Sequence, residues 1–203
     1  HEKLAETLSV HKTIIFDGYI GVSWIEFIRN LGRALHRRNI PVRFHSIDAA
    51  LRPVTEILAM TRPYMGREGS IFGKKYPGSL SDFFDPDKLE MIRPCGHDGL
   101  DILYGSGAAL AGWEGLLVYA DLPKNELQFR SRAGGVRNLG KVIPDNAKLQ
   151  YKRFYFIDWV VLNKHKEKLL PGIDWLVDEQ RMTGISFMSG PDLRNTRAAM
   201  ANN

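Results

Sequence analysis

Cysteine is nearly absent from this sequence: the only one is Cys95, in a chain of 203 residues. A single thiol cannot form an internal disulfide, so the chain does not need an oxidising compartment. Long apolar runs are missing too, since none approaches the roughly 18 residues of a membrane helix, and the N-terminus lacks a signal-peptide pattern. These absences predict a cytoplasmic protein that does not span a membrane.

Recognisable spacing of metal ligands is also missing. Four of the six histidines lie far apart in the body of the chain: His36, His45, His97 and His165. None has a second histidine or a cysteine at the spacing of a structural zinc site, so we predict no metal site. No base adjacent in sequence supports Cys95 as a nucleophile, although a distant histidine could approach it in the fold.

Excess positive charge is modest, at +5. Basic residues gather in 29–43, 130–141 and 152–168, between apolar segments, which suits local anion sites or solvated faces. No aromatic platform or known reader motif accompanies them, so we do not expect nucleic acid as a partner. With 44% hydrophobic and 25% charged residues, the chain is predicted to form one globular domain over residues 1–203.

Strands alternate with helices along the chain. Residues 13–16 and 115–121 are apolar strands, and a helix follows Ser23, which stands with Glu26 at the spacing of a capping box. Further strands are predicted at 41–46, 101–105, 152–159 and 173–178, and further helices at 51–60, 87–92, 124–132 and 160–170. This order predicts an α/β fold with three layers, a mostly parallel sheet and helices on both faces. Residues 66–86 are predicted to be an exposed loop excursion, and 191–203 a flexible tail.

The loop after the first strand resembles a phosphate-binding loop. A strand, a glycine-bearing loop and a helix N-terminus favour an anion, because free amides and the helix dipole converge there. We therefore predict phosphate contacts from Asp17, Gly18, Tyr19, Gly21 and Ser23. Val22 stands where the P-loop of a kinase has lysine, which argues against phosphoryl transfer. The alternative is a turn that only starts a helix.

Asp121 ends the apolar strand 115–121 and precedes a basic helix. P-loop kinases of small molecules use such an acid to hold magnesium through water, while cations cover the phosphates. Asp121 is therefore the candidate catalytic residue, and Mg²⁺ together with a nucleotide is the cofactor this layout would take. The predicted additional phosphate ligands are Lys124, Arg130, Arg132, Lys152 and Arg153. The alternative is that Arg130, Arg132 and Arg137 form a solvated face and that Asp121 caps a helix.

Four stretches of the chain carry a family resemblance: 15–22, 81–86, 103–110 and 151–159. They resemble the N-terminal region of large bacterial proteins named class I mannose-6-phosphate isomerases. That region is similar to a nucleoside kinase and precedes a cupin-type isomerase domain. The resemblance implies a role in carbohydrate metabolism and a C-terminal cupin domain as a partner. The isomerase's metal ligands, which lie on a β-barrel, have no counterpart in this chain.

Three functional hypotheses follow from the residues and the resemblance together. The first is a degenerate kinase-like domain that binds a sugar phosphate or nucleotide at 17–23, helped by Asp121, Arg130 and Arg132. The second is an active sugar or nucleoside phosphotransferase in which another cation replaces the missing lysine; the candidates are Lys124, Lys152 and Arg153. The third is a non-catalytic scaffold that docks an isomerase domain.

Overall fold

The protein is built on a six-stranded sheet. The computed structural model describes residues 1–96, 98–181 and 184–201, so His97 lies outside the described residues. The strands are β1 (Thr13–Gly18), β2 (Val42–Ser46), β3 (Leu100–Tyr104), β4 (Leu116–Asp121), β5 (Trp175–Asp178) and β6 (Ser186–Ser189). Their order is β2-β3-β1-β4-β5-β6, and only β6 runs antiparallel to its neighbour. The mostly parallel α/β sheet is therefore confirmed.

Helices cover both faces of the sheet. They are α1 (Glu2–Leu8), α2 (Trp24–Arg37), α3 (Val54–Thr61), α4 (Pro86–Met91), α5 (Lys124–Arg132), α6 (Ala147–Arg153), α7 (Trp159–Leu169) and α8 (Gly190–Ala201). On β1, the ring of Phe16 contacts Phe27 of α2, while the next residue, Asp17, contacts His165 of α7. Since successive strand residues point to opposite faces, α2 and α7 lie on opposite sides of the sheet. Among the described residues, no helix combines the length and apolar character needed to cross a bilayer.

The strand predicted over 152–159 is helical. The chain runs from the end of α6 through a π-helical turn (Phe154–Asp158) directly into α7. Phe154, Ile157 and Val161 are all buried, and their spacing of three and four residues places them on one side of a helix. Aromatic and β-branched residues favoured a strand locally, and burial of this helical face overrode that preference.

The predicted excursion at 66–86 is exposed only in its first half. In the second half, the carboxylate of Asp82 accepts hydrogen bonds from the Ser79 amide (3.0 Å) and the Tyr76 hydroxyl (2.8 Å). Phe83 follows in a short 3-10 turn and is fully buried. The turn residues that suggested a loop therefore anchor this segment to the core.

The C-terminal part contains two elements that the sequence pattern did not indicate. The short edge strand β6 pairs with β5, and residues 191–201 of the tail predicted at 191–203 lie in α8, while 202 and 203 are outside the described residues. α8 is fastened at its start, where Ser189 Oγ donates to the Asp192 carboxylate (2.6 Å) and Arg194 donates to the carbonyl of Ile173 (3.0 Å). Helix α8 is mostly exposed, which is why its sequence showed no apolar stripe.

Candidate functional site

The corner between β1 and α2 has the predicted shape. The Tyr19 amide donates to the carbonyl of Ala120 on β4 (2.9 Å), which holds the chain against the sheet as it leaves β1. Gly21 has φ +100°, and a Cβ there would come within 2.5 Å of Leu127. Only glycine fits this backbone conformation and spacing without strain. Ser23 is the N-cap of α2, but the expected capping box does not form, because the Glu26 carboxylate pairs with Arg29.

A carboxylate of the protein itself occupies the place predicted for an anion. Oε2 of Glu179, just after β5, accepts a hydrogen bond from the Ser23 amide at 3.5 Å. The same oxygen lies 2.5 Å from Nη1 of Arg130, which also donates to the carbonyl of Gly21 (3.0 Å). Glu179 is 1% exposed, so burial raises the pKa of its carboxyl while the Arg130 cation opposes that shift.

Three of the predicted phosphate ligands thus lie together at the corner, around a carboxylate of the protein itself. Ser23 and Arg130 both contact Glu179, the carbonyl of Gly21 accepts from Arg130, and Arg130 is held further by Glu126 (2.9 Å). No sequence motif pointed to Glu179. Its position after a strand, on the edge of the sheet where the corner lies, was the one available signal.

Asp17 and Tyr19 face the protein interior. The Asp17 carboxylate accepts hydrogen bonds from the amides of Gly107 (3.0 Å) and Ala109 (2.9 Å), and it lies 2.8 Å from His165 Nε2. The Tyr19 hydroxyl donates to the side chain of another α7 residue, Asn163, at 2.9 Å. These two predicted site residues, together with Gly18 at the end of β1, tie β1 to its neighbours in the fold.

Asp121, the candidate catalytic acid, is also engaged. One carboxylate oxygen forms an ion pair with Lys166 of α7, and the other accepts the Leu122 amide at 3.0 Å. Both oxygens have protein partners, so a magnesium ion at this carboxylate would compete with the charge of Lys166. Lys124, three residues further on, lies 5.1 Å from the centre of the Trp159 ring in a cation–π contact.

The remaining predicted cations lie away from the corner. Lys152 donates to the carbonyl of Ser70 (2.6 Å) and lines, with Arg132, a mainly apolar cavity of about 860 Å³. Arg153 is 2% exposed and donates to the carbonyl of Leu139 at 2.6 Å. This hydrogen bond ties Arg153 to the loop of residues 135–142, which contains Leu139.

A second cavity, of about 340 Å³, lies at the carboxyl ends of β1, β2 and β3. It is lined by residues 20–22, Trp24, Asp48, Leu51, Ser106 and residues 135–142. The last segment brings two cations, Arg137 and Lys141. The Asp48 side chain is exposed to the cleft. The protein atoms around its carboxyl reduce its hydration and raise its pKa, while the positive charge of Arg137 lowers it. We name this cavity the strand-end cleft. No sequence motif pointed to Asp48 or Lys141.

The cleft wall is held by a buried polar cluster. Asn138 donates to the Asp158 carboxylate (2.5 Å) and to the carbonyl of Gln150 (3.2 Å). Asp158 is fully buried, and Arg153 Nε lies 3.6 Å from its other oxygen. The cluster fixes the position of 135–142, and with it the cations of the cleft.

Fold and site together define a mostly parallel α/β protein whose β1–α2 corner has the shape of a P-loop and lacks the P-loop lysine. The chain belongs to the family described as "Domain of unknown function (DUF8485)", whose model matches residues 1–202. No curated protein matches the sequence.

Two solved kinase structures are similar to the chain. A proposed fructose transport system kinase from Silicibacter sp. TM1040 matches with a TM-score of 0.51 and 12% identity, over 82% of this chain and 93% of that one. A shikimate kinase from Bacteroides thetaiotaomicron matches with a TM-score of 0.36 and 18% identity, over 78% of this chain and 98% of that one. The first match supports the kinase-like fold, and neither of these structures nor the family model supports the predicted relation to mannose-6-phosphate isomerases.

Proposed function

We propose that this protein is a degenerate kinase-like domain that binds a phosphorylated small molecule, a sugar phosphate or a nucleotide, in the strand-end cleft. The observation that carries the proposal is Arg137 on the cleft wall, whose charge is not neutralised by an ion pair among the described residues, together with Lys141, which a phosphate would share with Asp145. Asp48 is the single carboxylate among the cleft's described lining residues. A volume of about 340 Å³ is at the lower end of the range for small-molecule sites, which suits a monosaccharide phosphate best.

The cations of the cleft are placed to meet phosphate. Arg137 is held by a hydrogen bond to the carbonyl of Val142 (2.6 Å), and Lys141 by an ion pair with Asp145 (2.5 Å). Both contacts lie within or beside the segment 135–142, so they order the cations along one wall. Arginine binds phosphate through its planar fork, and lysine as a point charge.

Phosphoryl transfer has weaker support than binding. Each candidate for the missing lysine contacts another group: Lys124 the Trp159 ring, Lys152 the carbonyl of Ser70, and Arg153 the carbonyl of Leu139. Arg130, the cation found at the corner, is already paired with two carboxylates, those of Glu126 and Glu179. Since such enzymes contribute mainly positioning and charge at the transferred phosphate, we propose binding without transfer.

Calorimetry with mannose 6-phosphate, ATP and GTP tests the proposal. The double variant Arg137→Ala, Lys141→Ala is expected to bind the active ligand about tenfold more weakly, because charged hydrogen bonds are lost. The control pair Arg33→Ala, Lys88→Ala removes two cations that do not line the cleft and should bind as the native chain does. Absence of binding by the folded native chain, or equal affinity of both double variants, would contradict the proposal.

A second candidate function, docking of a partner domain, is supported by the larger apolar cavity. Phe72 at its edge is 73% exposed and Ile71 is 61% exposed. The family resemblance suggests a cupin-type isomerase domain as the occupant. Titration with such a domain should give measurable binding, and Phe72→Ser should weaken this binding about tenfold. The control Val10→Ser changes a similarly exposed residue outside the cavity and should leave the affinity unaltered. No heat of binding, or equal effects of the two variants, would exclude this partner.

A further inference from the structure

Three residues with metal-binding side chains meet on the sheet face opposite α2. They are His45 on β2, Asp101 on β3 and Cys95 in the segment that leads into β3. The register of β2 and β3 pairs His45 with Leu103, and Asp101 with Arg43, so these side chains project from one face. The strand-end cleft does not include any of the three.

The donor atoms have the spacing of a metal site. His45 Nε2 lies 2.8 Å from Asp101 Oδ1 and 3.9 Å from Cys95 Sγ, and all three donor atoms lie within 4.8 Å of one another. Tetrahedral zinc, with ligands at roughly 2.0 to 2.3 Å, holds its donor atoms about 3.3 to 3.7 Å apart. The observed separations lie on both sides of this spacing, so small side-chain rotations bring all three donors onto one ion.

The backbone already holds the segment in place for this. Oδ2 of Asp101 accepts a hydrogen bond from the amide of Cys95 at 2.9 Å. This bond holds Cys95 beside the Asp101 carboxylate. The His45 ring packs edge-on against Trp113, with ring centres 5.1 Å apart, and Trp113 Nε1 donates to the carbonyl of Ile92 at 2.8 Å. The imidazole is therefore oriented by packing before any ion arrives.

The arrangement suits an ion better than a thiol nucleophile with its base. In a cysteine–histidine–carboxylate relay the thiol and the carboxylate address different ring nitrogens. Here both are directed at the same nitrogen, Nε2 of His45, with the carboxylate closer. Donors that converge on one point in this way are typical of coordination.

We propose that His45, Cys95 and Asp101 form a site for a divalent, thiophilic metal ion such as Zn²⁺. On binding, the thiol loses its proton, and the imidazole presents the lone pair of Nε2 with its proton on Nδ1. A divalent ion, a thiolate and a carboxylate are together electrically neutral, so the nearby Arg43 guanidinium, which interacts with Cys95, does not repel the loaded site. Cys95 is exposed, and this leaves the fourth position of the ion to water.

Cobalt titration of the full chain, reduced and stripped with a chelator, tests the site. One equivalent of Co²⁺ is expected to produce thiolate-to-cobalt charge-transfer absorption, and Zn²⁺ should displace it. Cys95→Ser should abolish the absorption without unfolding the chain, because the side chain is exposed. His45→Gln should weaken Co²⁺ binding by at least about tenfold, the cost of losing even an outer partner of a metal ligand.

The matched control is His36→Gln, which removes an exposed histidine of α2 and should bind Co²⁺ as the native chain does. Alkylation of Cys95 gives a second measurement: Zn²⁺ should slow it in the native chain and in His36→Gln, and much less in His45→Gln. Circular dichroism establishes that each variant is folded. Absence of the charge-transfer band in the native chain would overturn the proposal. So would a native affinity for Co²⁺ in folded His45→Gln, because the ion would then be bound by the thiol alone.

Discussion

Glu179→Ala is expected to lower the free energy of unfolding by about 3 kcal/mol, because it leaves the buried Arg130 cation without its main partner. Arg130 is 10% exposed in its side chain and keeps only Glu126 and backbone carbonyls after the change. Glu179→Gln should cost less, since its amide oxygen can still accept from Arg130. Urea unfolding measures both effects, and Glu167→Ala, which removes an exposed glutamate of α7, should stay within about 0.5 kcal/mol of the native chain.

The same variant tests whether the β1–α2 corner is an anion site closed by the protein's own carboxylate. With the Glu179 carboxylate gone, the Ser23 amide and Nη1 of Arg130 lose the oxygen they share and can bind an added anion in its place. Sulfate or phosphate should therefore raise the melting temperature of Glu179→Ala by several degrees more than that of Glu167→Ala. If Glu179→Ala is as stable as the control, or if both variants respond equally to the anions, the corner holds no latent anion site.

Asp158 is expected to reverse the usual pH dependence of a carboxylate. Complete burial raises the pKa of its carboxyl to about 6, more than the Arg153 cation and the Asn138 hydrogen bond lower it. Arg153 Nε stands at 3.6 Å, too far for a hydrogen bond that would offset the lost hydration. The folded state therefore binds the proton more tightly than the unfolded state, and the contribution of Asp158 to stability falls as pH rises from about 4 to about 6.

Comparison with Asp158→Asn isolates this contribution from those of the other acids. The stability of Asp158→Asn relative to the native chain should increase by about 2 kcal/mol between pH 4 and pH 7, because the folded chain must release a proton that the unfolded chain loses roughly a hundredfold more readily. Urea unfolding at a series of pH values measures the difference. A difference that stays constant would show an ordinary pKa, and one that decreases would show that the ion pair with Arg153 dominates.

The sequence pattern predicted the framework of the fold well. β1 and β4 were recognised as apolar runs, and the start of α2 from Ser23, because these signals are carried by neighbouring residues. The strand at 152–159 was wrong since its aromatic residues are compatible with either element, and only packing across the α6–α7 region selects the helix.

The site was only partly accessible to the same reasoning. The layout of strand, glycine loop and helix N-terminus in 17–23 is local, and it was found. Its occupant was not, because Ser23 and Glu179 are separated by 156 residues. The cleft cations and the His45–Asp101 contact, across 56 residues, likewise depend on which segments the sheet brings together.

Periodicity and turn chemistry along the chain are therefore enough to specify a mostly parallel α/β sheet and a corner made of a strand, a glycine loop and a helix N-terminus. Whether that corner is open, and which charges face one another, follows from long-range packing. Electrostatic and hydrogen-bonding partners act over a few ångströms in space, a distance that bears no relation to their separation along the chain.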